Sequence, residues 1–298
     1  MAVLKSGISW TSGTLNPAVG CTKVSAGCDN CYAETLVSRL QHNFGHPFSE
    51  VTLHLDRLTR LGKMKPHVVD GVRSPYLCFV NSMSDWAHDA IPDAAVHAMF
   101  DAFEQKPETI WQLLTKRPAR ARQLLVARYG NSGIPANFWI GASVEENQVA
   151  ARLNVLRSIK ERTGGTGTFF VSVEPIVGPT DKVDFTGMSW VITGGESGPR
   201  ARIMQPQWML SAIENAKKAG AAVWLKQHGQ IRSNPLLHHA PQHLGVTAQY
   251  QWLVDNGLEL LPDEKGGATL EDKVTWREFP PHYHALKAQL NAGQQSLV

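Results

Sequence analysis

Apolar runs of six or seven residues recur along this chain at 76–82, 110–115, 137–142, 168–173, 188–193 and 221–226. Each has the length of a strand rather than a helix. Between them the spacing of apolar positions lengthens towards that of a helix face, as in Asp93–Phe100, Asn147–Leu156 and Gln207–Ala216. The last of these runs into Lys217-Lys218-Ala219-Gly220, a basic final turn followed by a glycine stop. Strand alternating with helix implies parallel pairing, because parallel neighbours need a crossover connection. The expected fold class is therefore α/β, a full or partial (β/α) TIM-type barrel of six or seven parallel strands with a C-terminal extension. A doubly wound open sheet is the alternative, since the pattern leaves closure open. A further short strand is expected at Ile8-Ser9-Trp10-Thr11, and Tyr32–Leu40 reads as a helix with Leu36 and Leu40 on one face.

The barrel is expected over residues 1–230, with an insertion containing some helix at 42–74. Residues 231–298 form the extension. Within it, Val274–Pro280 reads as a strand or a lid over the barrel mouth, and Asn291–Val298 as frayed. His238, His239 and His243 lie among Pro235, Pro241 and Gly245, and read as loop surface rather than a second metal site.

Composition narrows the class only a little. At 298 residues, 43% apolar and 18% charged, the chain has the make-up of a globular protein with one generous core. It has no apolar run long enough to cross a membrane and no hydrophobic leader at Met1–Gly7, so a cytoplasmic location with reduced thiols is expected. A net charge of +3 is compatible with a polyanionic partner and equally with small anionic cofactors.

The cysteines change the picture more. Three of the four fall within Cys21–Cys31 in the spacing C-x6-C-x2-C, while Cys78 sits in an apolar strand. Closed zinc sites and ordinary ferredoxin clusters take four protein ligands. Three clustered thiols suit a centre with one position left open; a zinc site completed by a distant His or Asp is the plainer alternative. The loop 20–32 that carries them joins a strand to a helix.

Every strand-like run also ends in polar residues: Ser84-Asp85, Lys116-Arg117, Ser143 with Glu145 and Glu146, Glu174, then Glu196 with Arg200 and Arg202, and Lys226 with His228. In β/α barrels chemistry collects at that end. Any one ending is an ordinary cap; Glu145 and Glu146, for instance, lie at a helix start, where acids are stabilised. Repeated at the same end as the cysteines, they describe a polar mouth. A lysine beside serine hydroxyls suits a carboxylate, Ser-Asp an ammonium, and a glutamate the hydroxyls of a sugar. An amino-acid head plus a ribose points to S-adenosylmethionine.

Leu15-Asn16-Pro17, Gly20–Ser25, Gly27–Glu34, Leu114–Pro118 and Gly194–Gly198 together resemble the radical S-adenosylmethionine superfamily, and within it a phage-associated three-cysteine family of formerly unknown function. The layout of Ser84-Asp85, Lys116 and Ser143 is similar to that of spore photoproduct lyase. The first cysteine interval departs from the superfamily's usual C-x3-C-x2-C, Asn30 replaces an aromatic between the last two cysteines, and Gly194-Gly195-Glu196 comes too late to be the superfamily's Gly-Gly-Glu element. The resemblance implies a [4Fe–4S] cluster on Cys21, Cys28 and Cys31, and S-adenosylmethionine contacted by Tyr32, Ser84, Asp85, Lys116, Ser143 and Glu174. It also implies reductive formation of a 5′-deoxyadenosyl radical and an electron donor of flavodoxin or ferredoxin type. Glu196, Lys226 and His228 are then the catalytic candidates, with Arg117, Arg200 and Arg202 binding substrate. The expected substrate is an amino-acid-modified thymidine, in DNA or free, which the enzyme isomerises during hypermodification of phage DNA. A repair lyase acting on a thymine lesion is the alternative within the same chemistry. A metal-stabilised nucleic-acid-binding module is the alternative outside it, although aromatics make up only 8% of the chain.

Overall fold

A computed structural model describes residues 4–5, 7–40, 45–197, 200–227, 229, 239–256 and 277–292. The predicted apolar runs become strands almost residue for residue. One eight-stranded sheet has the order β1 (Leu4–Lys5), β2 (Gly13–Leu15), β7 (Tyr76–Val80), β8 (Thr109–Thr115), β9 (Phe138–Ser143), β10 (Thr168–Ile176), β11 (Trp190–Gly195), β12 (Ala222–Gln227). β1 pairs antiparallel with β2, and the other seven strands are parallel throughout. β12 and β1 are the two edges of the sheet, so it curls into a half-barrel, the partial form of the expected TIM-like fold. The early strand lies at Gly13–Leu15; Ser9 and Trp10, where it was expected, form a turn beside it.

Helices α1 (Tyr32–Arg39), α2 (Asp93–Glu104), α3 (Pro118–Tyr129), α4 (Arg152–Arg162) and α5 (Pro206–Lys218) alternate with the strands. α3 and α5 both begin with proline, whose fixed φ suits a first turn and whose missing N–H leaves no donor unsatisfied there. Between β10 and β11 no α-helix intervenes; Val183, Phe185 and Met188 of that connection fill the helix layer instead.

Strand alternation divides the apolar residues into two cores. On β7, Cys78 and Val80 face outward beneath the helices, while Leu77 and Phe79 face inward. The inner face is aromatic: Trp10, Phe79, Trp139, Phe170, Trp190 and Trp224. Each large side chain buried there contributes about 1.5–3 kcal/mol. Residues 277–292 complete this inner core. Arg277 makes a single antiparallel bridge to Trp224, the Trp190 indole donates to Glu278 O (2.8 Å), and Phe279 and Tyr283 stack at 4.1 Å. Helix α7 (Pro281–Ala292), which follows α6 (Val246–Asp255) in the extension, then crosses the inner face. The Trp139 indole donates to His282 Nδ1 (3.0 Å), and Asn291 exchanges hydrogen bonds with the backbone of Arg73. Of these partners, Trp139, Trp190 and Trp224 lie in the first halves of their strands of the main sheet. The described part of the expected lid therefore closes the end opposite the cysteines, not the mouth. Asn291 is anchored where fraying was expected, while 293–298 and 257–276 lie outside the described residues.

The 42–74 insertion carries β4 (Thr52–Leu53) paired with β3 (Ala18–Val19), a 3-10 helix over Leu55–Lys63, and a hairpin of β5 (His67–Val69) and β6 (Val72–Ser74). The hairpin turns at Asp70-Gly71, where both residues have positive φ, the geometry Asp-Gly favours.

Candidate active site

At the C-terminal ends of the parallel strands lies a cleft with about 1180 Å³ of empty space, its open mouth included. Cys21, Cys28 and Cys31 all line it, and all three are free thiols. Their loop is pinned at both ends. Gly20 has φ of +101°, and an added Cβ there would stand 2.1 Å from Glu50 O, so only glycine fits this close approach. Gly20 N donates to Met83 O, Cys21 N to Phe48 O, and the Ser84 hydroxyl to Gly20 O (2.6 Å). A 3-10 turn over Ala26–Cys28 leads into α1, whose N-cap is Cys31.

Two buried carboxylates, Glu145 and Glu196, bond this loop to the strand ends, and a third, Asp85, reaches it through Arg117. Glu145, 1% exposed, pairs with Lys116 (2.7 Å) and Arg152 (2.8 Å) and accepts from Ser25 Oγ (2.9 Å). A Cβ on Gly27 would meet Glu145 Cγ at 2.5 Å, so the loop lies directly on this side chain. Asp85 accepts from Thr115 Oγ1, Ala87 N, Lys116 N and Arg117 Nη1. Glu196 accepts from Asn30 Nδ2 (2.9 Å), from Arg202 N and from the Arg202 guanidinium, which reaches on to Ala26 O and Asp29. Two cations that these acids hold point at sulfur: Lys116 Nζ lies 3.7 Å from Cys28 Sγ, and Arg117 Nη1 3.6 Å from Cys21 Sγ.

The charges shift the thiols in opposite directions. Burial works against ionisation of Cys28, but Lys116 and hydrogen bonds at Val24 and Ser25 outweigh it and hold the thiol below its ordinary range. At Cys21 burial wins over Arg117, with Asp85 adding to the upward push. Among the described residues, no three His, Cys, Asp or Glu side chains converge as ligands of one metal ion.

The predicted site residues thus separate into two sets. Arg117, Arg202, Lys116 and Glu196 are engaged with the cysteine loop, Asp85 holds Arg117 and the Lys116 backbone beside it, and Arg117 also donates to Thr22 O and Thr22 Oγ1. Ser84 gives its proton to Gly20 O but keeps its lone pairs. Tyr32, Ser143, Glu174 and Lys226 line the cleft. Tyr32 donates its hydroxyl to Ser82 O, and Glu174 pairs with Lys226 at 3.0 Å. Arg200 is exposed and offers its carbonyl to Asn30. His228 lies outside the described residues. Four further lining residues went unremarked as site residues in the sequence: Trp10, Asn81, Phe48 and Ser172. Ser172 stands in register with Ser143 on the next strand, and strand parity is the signal that finds it.

A protein family described as "Protein of unknown function (DUF5131)" matches residues 5–280. The chain belongs to the DUF5131 family. No curated protein matches it. Among solved structures, a point mutant of spore photoproduct lyase matches with a TM-score of 0.45 and 15% identity, over 70% of this chain and 62% of that one. The DUF5131 chain therefore spans less than two thirds of that protein's length, and its half-barrel rests on its own strand order. No helix among the described residues is long and apolar enough to cross a membrane.

Proposed function

We propose that the DUF5131 chain is a radical enzyme whose cleft holds a [4Fe–4S] cluster on Cys21, Cys28 and Cys31 together with S-adenosylmethionine, and that it isomerises a thymidine bearing an amino-acid adduct. One observation carries this reading: three free thiols stand on one stapled loop at the C-terminal end of a parallel half-barrel, two of them facing cations. Cations beside a set of thiolates offset its negative charge and favour the ligating form. When bound, the pair supplies a carbon-centred radical by reductive cleavage of the sulfonium.

The chain's own groups have positioning tasks. Ser84, Ser143 and Ser172 offer hydroxyls to the methionine head, and Glu174, held by Lys226, accepts from ribose hydroxyls. Glu145 keeps Lys116 on Cys28, and Glu196 keeps Arg202 on the Ala26–Asp29 turn. The apolar inner face below excludes water from the reacting atoms. An electron donor of flavodoxin or ferredoxin type is the required partner. The hypermodification of phage DNA is the proposed setting.

Anaerobic reconstitution tests this directly. The brown holoprotein should bind about four irons per chain and release 5′-deoxyadenosine when reduced. A colourless zinc protein, or a Cys28→Ala variant with unchanged iron and turnover, would overturn the reading. A lyase reading of the same chemistry gains from one observation: the Tyr32 phenol lines the cleft, whereas Cys78 is buried on the outer face. Tyr32→Phe losing product while still releasing 5′-deoxyadenosine would favour the lyase.

A further inference from the structure

The cleft floor holds polar atoms that no described residue satisfies. Asn81 directly follows β7 and lines the cleft at 3% exposure. Neither its Nδ2 nor its Oδ1 has a hydrogen-bond partner among the described residues. Trp10, also 3% exposed and lining the cleft, has an unpartnered Nε1, and its ring packs on Phe79 with centroids 4.9 Å apart. Burying an amide without partners costs about 1–3 kcal/mol, so a native chain retains one where a ligand completes it.

We propose that Asn81 and Trp10 form the base-reading subsite of this cleft, taking the edge of the substrate's nucleobase. A side-chain amide presents a donor beside an acceptor, the pattern it matches on a base edge. Bases that are read out of the stack are sandwiched against aromatic or apolar side chains while that edge is hydrogen-bonded, and Trp10, Phe79 and Leu114 supply such walls here. An ammonium or carboxylate would use only half of the amide. The inference rests on the proposed nucleotide chemistry of the mouth and adds the groups that select the substrate. Adenine of the cofactor has the same kind of edge, so the test separates the two sources.

Thymidine and S-adenosylhomocysteine are titrated separately into the reconstituted full chain and into Asn81→Leu and Trp10→Phe. Asn81→Leu should weaken thymidine about ten- to thirty-fold, the loss of two neutral hydrogen bonds, and leave S-adenosylhomocysteine unaffected. Trp10→Phe, which keeps the ring and removes one donor, should weaken thymidine about five-fold. Asn81→Leu should also raise the melting midpoint of the ligand-free protein by about 2–4 °C, because an unsatisfied amide is exchanged for an apolar group of similar size. Unchanged thymidine affinity in both variants overturns the proposal. So does a lowered midpoint, which marks Asn81 as a structural group, and so does an equal loss of S-adenosylhomocysteine, which gives the edge to adenine. Failure of the unaltered chain to bind S-adenosylhomocysteine at all would instead sink the cofactor reading, which is a separate result.

Discussion

The rim of the cleft and its inner face are built on opposite terms. On the rim three buried carboxylates are saturated: Asp85 with four donors, Glu145 with two cations and a hydroxyl, Glu196 with Asn30 and Arg202. The inner face is a stack of aromatic rings, with polar atoms at Asn81 and Trp10 left open. Charge pairs fix directions and distances but gain little net stability against their desolvation. Ring burial gains stability with little directional demand. Geometry therefore resides where the thiols are, and stability resides where the substrate is proposed to lie.

Removing one partner from the rim should have the largest effect. Glu145→Ala leaves Lys116 and Arg152 without their buried counter-charge and should cost about 3–5 kcal/mol in urea unfolding. It should also reduce iron uptake, because the Gly27 turn loses its support. If the variant unfolds no more easily than the parent, the rim is not held by charge. Trp190→Ala, on the inner face, should cost about 3 kcal/mol as a cavity while iron binding in the folded protein is retained; a parallel loss of iron would erase the distinction between the two regions.

The pH response sharpens the comparison further. Burial pushes the carboxyls of Glu145 and Glu196 up, but Lys116 and Arg152 in the first case, and Arg202 and Asn30 in the second, bring both below the ordinary range. A carboxyl depressed in the folded state stabilises fully above its unfolded value, about 4.3, and loses that stabilisation as the pH falls through its folded value. The melting midpoint of the apoprotein should therefore drop steeply below about pH 4.3. The drop should be shallower in Glu196→Gln, which should itself cost about 1–2 kcal/mol at neutral pH. An identical acid limb in both proteins would remove Glu196 from the account. The smallest effect is expected at Arg200, whose exposed side chain lies beyond the staple: Arg200→Ala should change stability by less than about 0.5 kcal/mol.

The sheet was legible because short apolar runs bounded by polar residues leave a buried parallel strand little choice; the ends of β7 to β12 fall within two residues of the expected runs, except that β10 continues to Ile176. The cysteine loop and its strand-to-helix position were legible for the same local reason. Partnerships were not. Glu145 reads as a helix-start acid because its neighbours in sequence say so, yet its partners Ser25 and Lys116 lie 120 and 29 positions away. Arg117 and Arg202 look like free cations at a mouth for the same reason. Asn81 was hidden differently: one polar residue after an apolar run resembles an ordinary strand ending, and only the folded structure shows it buried in the cleft lining. The extension misled most, since a strand-like segment far from the barrel in sequence gives no hint of which end it will cover.

The seat that residues 277–286 take against Trp139, Trp190 and Trp224 has a consequence for synthesis. All seven parallel strands leave the ribosome before this segment does, so the nascent half-barrel presents a bare aromatic trough until the segment has followed them. During that interval the trough is a chaperone target, and a message cut short before codon 277 would yield a chain that aggregates instead of folding.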